Sequence, residues 1–425
     1  MAPTIFALSS GQPPAAIAVV RISGPAAFEA ARAVVGDLPL PRRATLRTVR
    51  DPRDGRRLDQ ALVLVFEAPA TATGEDLVEL HLHGGRAVVR AVTEAIGRLP
   101  GMRPAQPGEF TRRALANGRI DLAQAEGLGD LLTAETEAQR RAAMASVEGQ
   151  LSRAVHGWAA RLLTLAARIE AALDFADEDE VADDPVLAPA LAALAADIGA
   201  VLAAPPVERL RDGIRVVLSG APNAGKSTLF NALAEREAAI VSPIAGTTRD
   251  RIEAPVVREG IAYLLVDTAG LAEATEDPIE AIGIARAGEA LAAADLVLWL
   301  DDSPPPDPAR SLWLYPRADI RSGSALDERL PVSVYDPESI GALWRAIGER
   351  AATLLPPGDA MLLNARQREL CAAAAGAIVA AAQEPDLLLV AEHLRAARSV
   401  LHRITGRADV EAMLDTLFSR FCIGK

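Results

Sequence analysis

At 425 residues, half of them hydrophobic, the chain exceeds one ordinary core and should fold as two or three domains. Aromatic residues make up only 4% while alanine fills several stretches, which favours a helix-rich protein over an all-β one. A net charge of -13 argues against non-specific gripping of a phosphate backbone, and two cysteines far apart in sequence, Cys371 and Cys422, argue against a disulfide framework or a zinc site.

No charged segment leading into an apolar stretch opens the chain, so a protein without a secretion signal, in the reducing cytoplasm, is expected. Before about residue 115, short β-like runs (Ala16 to Ile22, Ala61 to Phe66, Leu77 to His83) alternate with helical stretches, as in a compact α+β unit. His81 and His83 form an H-x-H pair. Strand alternation puts both on a polar face beside Glu79, which suits a solvated face better than a metal site.

From Leu122 the period changes. Val147, Leu151, Val155, Trp158, Leu162, Leu165, Ile169 and Leu173 recur at intervals of three or four, one apolar stripe along a long helix of a bundle. The acidic run Asp174 to Asp184 ends that helix and reads as a solvated loop before a hard-cation site. The window Val186 to Ala204 is mostly alanine, contains Asp197 and stops at Pro205-Pro206, so it reads as a packed helix with no membrane contact.

Between that proline pair and a second, Pro356-Pro357, apolar β runs alternate with helices, as a doubly wound, mainly parallel sheet requires; beyond it alanine-rich helices resume. The expected architecture is an α/β domain inserted into an all-α helical domain, preceded by an α+β N-terminal domain. The corresponding segments are 1–117 (N-terminal), 118–207 and 356–425 (helical), and 208–355 (inserted).

The inserted segment carries the chemistry. Ile214 to Leu218 is an apolar run, followed by Gly220-Ala-Pro-Asn-Ala-Gly225-Lys226-Ser227 and a helix expected to begin near Thr228, which is the G-x-x-x-x-G-K-S/T loop in its strand-loop-helix context. Amides of Asn223, Ala224 and Gly225 and the helix start at Ser227 and Thr228 would turn on the phosphates; Lys226 would reach the β- and γ-oxygens and Ser227 a magnesium ion.

The loop alone leaves ATPases, kinases and GTPases open. Gly246-Thr247-Thr248-Arg249-Asp250 follows at a switch-loop distance, where Thr248 can complete the magnesium shell. Strand Ile261 to Val266 then delivers Asp267-Thr268-Ala269-Gly270, a D-x-x-G element, and the three elements in order select a GTPase.

Base recognition departs from that pattern. After strands Leu296 to Leu300 and Leu312 to Tyr315, the expected Asn-Lys-x-Asp reads Pro316-Arg317-Ala318-Asp319, and the expected Ser-Ala-Lys reads Ser333-Val334-Tyr335. Asp319 can still accept from guanine, but weaker guanine selectivity is expected. Leu271 stands where a water-orienting glutamine would follow D-x-x-G, which leaves Glu280 as a candidate and Asn223 as a ligand for a monovalent cation beside the phosphates.

The loop GAPNAGKS, the GTTRD segment, DTAGL followed by IEAIGIARA, and the terminal Phe421-Cys-Ile-Gly-Lys425 together resemble the MnmE (TrmE) family of tRNA modification GTPases. So do Arg21 to Pro25, Gly74 to Leu80, His83 to Gly85, Pro107 to Phe110 and Asn117 to Glu126, so that the likeness covers nearly the whole chain. The resemblance implies potassium at Asn223, Ser242, Ile244 and Thr247, magnesium at Ser227 and Thr248, and nucleotide contacts along Ser242-Pro243-Ile244-Ala245-Gly246-Thr247-Thr248. It makes Glu280 the water-orienting group.

The same resemblance implies an N-terminal domain that forms a homodimer and binds a tetrahydrofolate derivative, of 5-formyl or methylene type, through Arg21, Glu79, Arg119 and Lys425. It further implies GTP and GDP as ligands, and a flavoprotein partner, MnmG (GidA), with which an aminomethyl-type group is installed on the wobble uridine of tRNA. Two other readings are carried forward: an RNA- or ribosome-associated GTPase switch, and a family-like scaffold with weakened guanine specificity.

Overall fold

The computed structural model describes residues 3–174, 186–235, 253–268, 288–321, 328–357 and 360–406, with 417, 418, 421 and 424 near the C-terminus. It divides into two compact units, Met1–Gly129 with Ser146–Gly157 and Leu401–Lys425, and Asp130–Ala145 with Trp158–Val400.

The first unit opens with β1 (Thr4–Leu8), β2 (Ile17–Ser23), α1 (Ala27–Val35), β3 (Thr45–Arg50), β4 (Arg57–Phe66), β5 (Leu77–His83), α2 (Arg86–Gly97), β6 (Met102–Pro104) and α3 (Glu109–Ala116). The strands form one sheet in the order β3-β4-β5-β2-β1-β6, antiparallel except for the parallel pair β1–β6. Alternation decides its faces. Ala18, Val20 and Ile22 of β2 and Val78, Leu80 and Leu82 of β5 point into a core with Ala27, Ala31 and Val34 of α1 and Val89, Val92 and Ile96 of α2, whose three- and four-residue spacing matches one helix face. The other face keeps Arg21, Glu79 and His81 half-exposed. Gly424 of the terminal motif lies against the backbone of Leu8 and Ser9, so the end of the chain returns to this sheet.

A polar network ties α3 to the sheet. Arg103 donates to both oxygens of Glu109 at 2.6 and 2.8 Å, and Arg113 to Glu109 at 3.1 Å, to Glu75 at 3.0 Å and to the Pro3 carbonyl at 2.7 Å. Burial raises the Glu109 pKa, but the hydrogen bonds from Arg103, the Gln106 amide and Arg113 outweigh it and hold the carboxyl below its usual value. A carboxylate depressed in the folded state contributes stability above its unfolded pKa of about 4.3 and loses it as pH falls toward the folded value. Glu109→Gln is therefore expected to cost about 2 kcal/mol near neutral pH. That deficit should shrink below about pH 4, and urea titrations at the two pH values measure it.

Helices α4 (Leu122–Thr133), α5 (Glu137–Val147) and α6 (Gln150–Asp174) follow. Leu151, Val155, Trp158, Leu162, Leu165 and Ile169 are buried along α6, as the stripe required, and Leu173 near its end is half-buried. Val147 belongs instead to α5, because Gly149 at a φ of +78° ends the helical path between them. The acidic run beyond Asp174 lies outside the described residues.

Next come α7 (Leu187–Leu202), α8 (Glu208–Arg211), β7 (Ile214–Ser219), α9 (Lys226–Glu235), β8 (Glu253–Arg258) and β9 (Ile261–Asp267). β10 (Leu296–Trp299), β11 (Ser311–Pro316), β12 (Leu330–Val332), α10 (Pro337–Leu354), α11 (Ala365–Gln383) and α12 (Leu387–Ile404) follow among the described residues. The second sheet has the order β12-β11-β10-β7-β9-β8 and is parallel but for β8 against β9. Its central strands read as continuous apolar runs because both faces are covered, one by α9 and α10, the other by the helical turn at 288–292.

The link from β10 to β11 holds only a 3-10 turn at Pro308–Arg310 where such folds usually place an α-helix. Arg329 sits over the Trp313 and Tyr315 rings at 5.4 and 4.9 Å and Arg321 over Tyr315 at 5.3 Å, so cation-π contacts cover part of the face that a crossover helix would occupy.

The chain enters and leaves this sheet domain at one place. Val207 N–H donates to the Leu363 carbonyl at 3.3 Å, and Ala365 N–H to Glu208 at 2.7 Å. α7 and α11 pack on each other, and Arg368 of α11 donates to the Leu202 and Ala204 carbonyls at the end of α7, which satisfies groups a helix terminus leaves open. Among the described residues, no helix is long and apolar enough to cross a membrane.

Candidate functional site

β7 delivers the chain to the carboxyl edge of the parallel sheet, where α/β proteins bind their ligands. Gly220, at a φ of +147°, passes so close to the Leu300 backbone that a Cβ would meet its carbonyl carbon at 2.7 Å. Only glycine permits that approach. α9 starts at Lys226, two residues earlier than the sequence suggested, so Lys226 and Ser227 lie in its first turn, where N–H groups are free of helical partners.

Lys226 is 9% exposed, and its Nζ donates to the Gly220 and Ala221 carbonyls at 3.0 and 2.9 Å, which holds the ammonium over the loop. Asn223, at a φ of +61°, offers its carbonyl to Arg317 Nη2 at 2.9 Å. The Ala221 amide donates to Asp301, whose pKa is lowered chiefly by hydrogen bonds from Ser303. Ala224 and Gly225 are half-buried and Ser227 and Thr228 exposed on the ligand side of the turn.

Asp267 ends β9 directly opposite Leu218 of β7 and is 3% exposed; Thr268 donates to the Leu218 carbonyl at 2.7 Å. A serine hydroxyl and a carboxylate are hard oxygen donors, so the residues present fit a magnesium ion shared with phosphates. The Asn223 side-chain oxygen suits a potassium ion on the same grounds. Asp319 is exposed beyond the end of β11. Ser242, Pro243, Ile244, Ala245, Gly246, Thr247, Thr248, Ala269, Gly270 and Glu280 lie outside the described residues.

In the first unit the candidate folate residues are in part assembled. Arg21 and Glu79 are register partners across β2 and β5, bonded at 2.7 and 3.1 Å, with the Arg21 guanidinium 5.7 Å from the Phe110 ring centre. His81 Nε2 lies 3.3 Å from Glu79, and His83 pairs with Asp59 at 2.7 Å. Among the described residues there is no cluster of three or more His, Cys, Asp or Glu able to hold a metal. Arg119 donates to the Thr71 carbonyl at 3.1 Å, and no contact among the described residues joins it to Arg21 or Glu79. Lys425 and Cys422 lie outside the described residues.

Two groups of contacts are absent from the sequence reading. Ser23, two residues from Arg21 on the same face of β2, is joined to Thr73 and Glu75 by bonds of 2.7 and 2.9 Å, and Glu75 leads to Arg113 of α3. The signal was present in the motifs Gly74 to Leu80 and Pro107 to Phe110, whose carboxylates meet here. Asp301 and Arg317 brace the phosphate loop, and nothing local in the sequence marks them for it.

Strand order, glycine approach, a lysine at the helix start and an aspartate on the neighbouring strand define a P-loop nucleotide-binding protein of the GTPase class. Residues 4–119 match the model described as "GTP-binding protein TrmE N-terminus", and residues 122–422 the one described as "MnmE helical domain". Proteins named tRNA modification GTPase MnmE are 58% identical over 425 residues in Rhizorhabdus wittichii (99% of this chain, 96% of that one). The Erythrobacter litoralis protein of that name is 55% identical (99% and 100% covered), and that of Novosphingobium aromaticivorans 53% (100% of both). The chain belongs to the MnmE family.

Proposed function

We propose that this protein hydrolyses GTP in the service of tRNA modification, working with a flavoprotein of the MnmG (GidA) kind on C5 of the wobble uridine, where an aminomethyl- or carboxymethylaminomethyl-type group is built. The observation that carries the reading is the buried Lys226 folded on the Gly220 and Ala221 carbonyls at the start of α9, in a chain aligned end to end with MnmE relatives.

On this reading Lys226 exchanges two loop carbonyls for the β- and γ-phosphoryl oxygens, so its charge stays hydrogen-bonded before and after binding. The amides from Asn223 to Thr228 wrap the phosphates, and Ser242 to Thr248 and Asp267 to Gly270 are the further nucleotide-contacting residues that the family resemblance implies. Asp319 accepts from the guanine. Ser227 and Thr248 hold magnesium, and Asn223, Ser242, Ile244 and Thr247 hold potassium; when bound, these cations neutralise charge on the phosphoryl oxygens that other GTPases neutralise with an arginine. Glu280 orients the attacking water.

The N-terminal domain (1–117) binds a tetrahydrofolate derivative as one-carbon donor at Arg21, Glu79, Arg119 and Lys425 and forms the homodimer. The GTPase domain (208–355) is inserted between the helical segments 118–207 and 356–425, a division supported by the bonds between Val207 and Leu363 and between Glu208 and Ala365. The cytoplasm is the compartment this chemistry requires, since the tRNA and the flavoprotein reside there.

The test is GTP turnover by the purified chain at equal ionic strength in potassium and in sodium chloride. Turnover should be roughly tenfold or more faster in potassium, the scale of a well-placed positive charge in the transition state. Equal rates would remove the potassium assignment, and no turnover in either salt would remove the enzyme assignment.

A further inference from the structure

The loops after β11 and β12 lie side by side, because the strands are parallel with Pro316 opposite Val332 and Ala318 N–H donates to the Val332 carbonyl at 3.2 Å. If the site takes a guanine nucleotide, as proposed above, its base rests on this edge beside Asp319. Guanine presents two acceptors, N7 and O6, along one side. Pro316 has no N–H and no polar side-chain atom to offer them, and the Arg317 guanidinium is engaged with the Asn223 carbonyl at 2.9 Å.

The neighbouring loop is tightly ordered. Ser333 N–H donates to Ser339 Oγ at 2.9 Å, Tyr335 N–H to Ser333 Oγ at 3.3 Å and Asp336 N–H to the Ser333 carbonyl at 3.3 Å, while Asp336 caps α10 through the Glu338 amide at 3.0 Å. Those bonds leave the Val334 N–H, alone in 333–336, without a protein partner among the described residues. They also present the Tyr335 side chain to solvent, 83% exposed. The other aromatic side chains of this domain are engaged: Phe230 in the core, Tyr263 with Trp344, Trp313 and Tyr315 with Arg329, and Trp299 through its indole N–H to Ser303. An aromatic face held out by a rigid turn at a base-binding edge is a stacking surface.

We infer that Tyr335 is the base platform of this site and sets its specificity. The purine stacks on the phenol ring, the Val334 N–H donates to the 6-oxo group, Asp319 accepts from N1–H, and N7 is not read. Affinity then rests on a contact that every purine can make, and discrimination on two hydrogen bonds at the 6-oxo and N1 positions. Adenine, with an amino group facing the Val334 donor and no N1–H, is rejected; 7-deazaguanine is accepted.

Equilibrium titrations of GTP, 7-deaza-GTP and ATP into the full-length chain, with magnesium and potassium present, test this. The parent should bind GTP and 7-deaza-GTP with dissociation constants within about twofold of each other, since on this inference N7 is not read. Tyr335→Ala should weaken both by about tenfold or more, and Tyr335→Phe should restore both. Unchanged GTP affinity in Tyr335→Ala overturns the platform, and a parent preference for GTP over 7-deaza-GTP beyond about fivefold overturns the unread N7. Absence of nucleotide binding by the parent overturns the nucleotide-site reading together with this inference, whereas the first two outcomes leave that reading standing.

Discussion

Lys226→Ala is expected to weaken GTP binding by about a hundredfold or more, which is the scale for removing one partner from a desolvated, hydrogen-bonded charge pair. The ammonium is nearly buried, and its two carbonyl partners, Gly220 and Ala221, stay behind when it is removed. Without it the triphosphate meets loop amides and a helix terminus but not the one charge held on the Gly220 and Ala221 carbonyls, and partial charges supply only a fraction of the compensation. Lys226→Arg should not rescue binding, because a flat guanidinium cannot fit the space between carbonyls that the ammonium approaches at 3.0 and 2.9 Å. Calorimetry with magnesium and potassium measures the effect. A variant within about threefold of the parent would show that the loop grips phosphate without its lysine.

Glu280→Ala should do the opposite, leaving GTP affinity intact and lowering turnover by about a hundredfold or more, as expected for a group that orients or takes a proton from the attacking water. The expectation follows from the family resemblance, which implies Glu280 as the water-orienting group, while Leu271, directly after D-x-x-G, cannot hold a water molecule. Single-turnover hydrolysis beside a binding titration separates the two quantities. A Glu280→Ala variant that keeps more than about a tenth of the parent rate would move the water-orienting role to another residue. On the proposed roles the two substitutions should separate the site's tasks, Lys226 setting how tightly GTP is held and Glu280 how fast it is cleaved.

Much of the second unit was legible because its signals are local. β7, β9, β10 and β11 are apolar runs covered on both faces, so their strand character is written in consecutive residues. The phosphate loop is legible for the same reason, since backbone geometry at Gly220 and the lysine six positions later must be neighbours in the chain to act on one ligand. The stripe on α6 was also readable, apart from its first member, Val147, because the helix period does not reveal where a left-handed residue interrupts it. The helix start at Lys226 was placed late, since element boundaries depend on which amides find partners and not on pattern.

By itself, then, the sequence determined the class of the protein: a P-loop GTPase domain between helical segments, its phosphate-loop motif, and its membership of a family recognised across the whole chain. Only the tertiary structure decided what supports those residues. Arg317 on the Asn223 carbonyl and Arg113 between Glu75 and Glu109 join positions 94, 38 and 4 apart along the chain, and Tyr335 stands exposed on the loop next to the one that carries Asp319. The physical reason is range. A motif is a contract between neighbours in sequence, whereas a hydrogen bond or a stacking face acts within a few ångströms of space, and the distance between two loops is set by the strands that carry them.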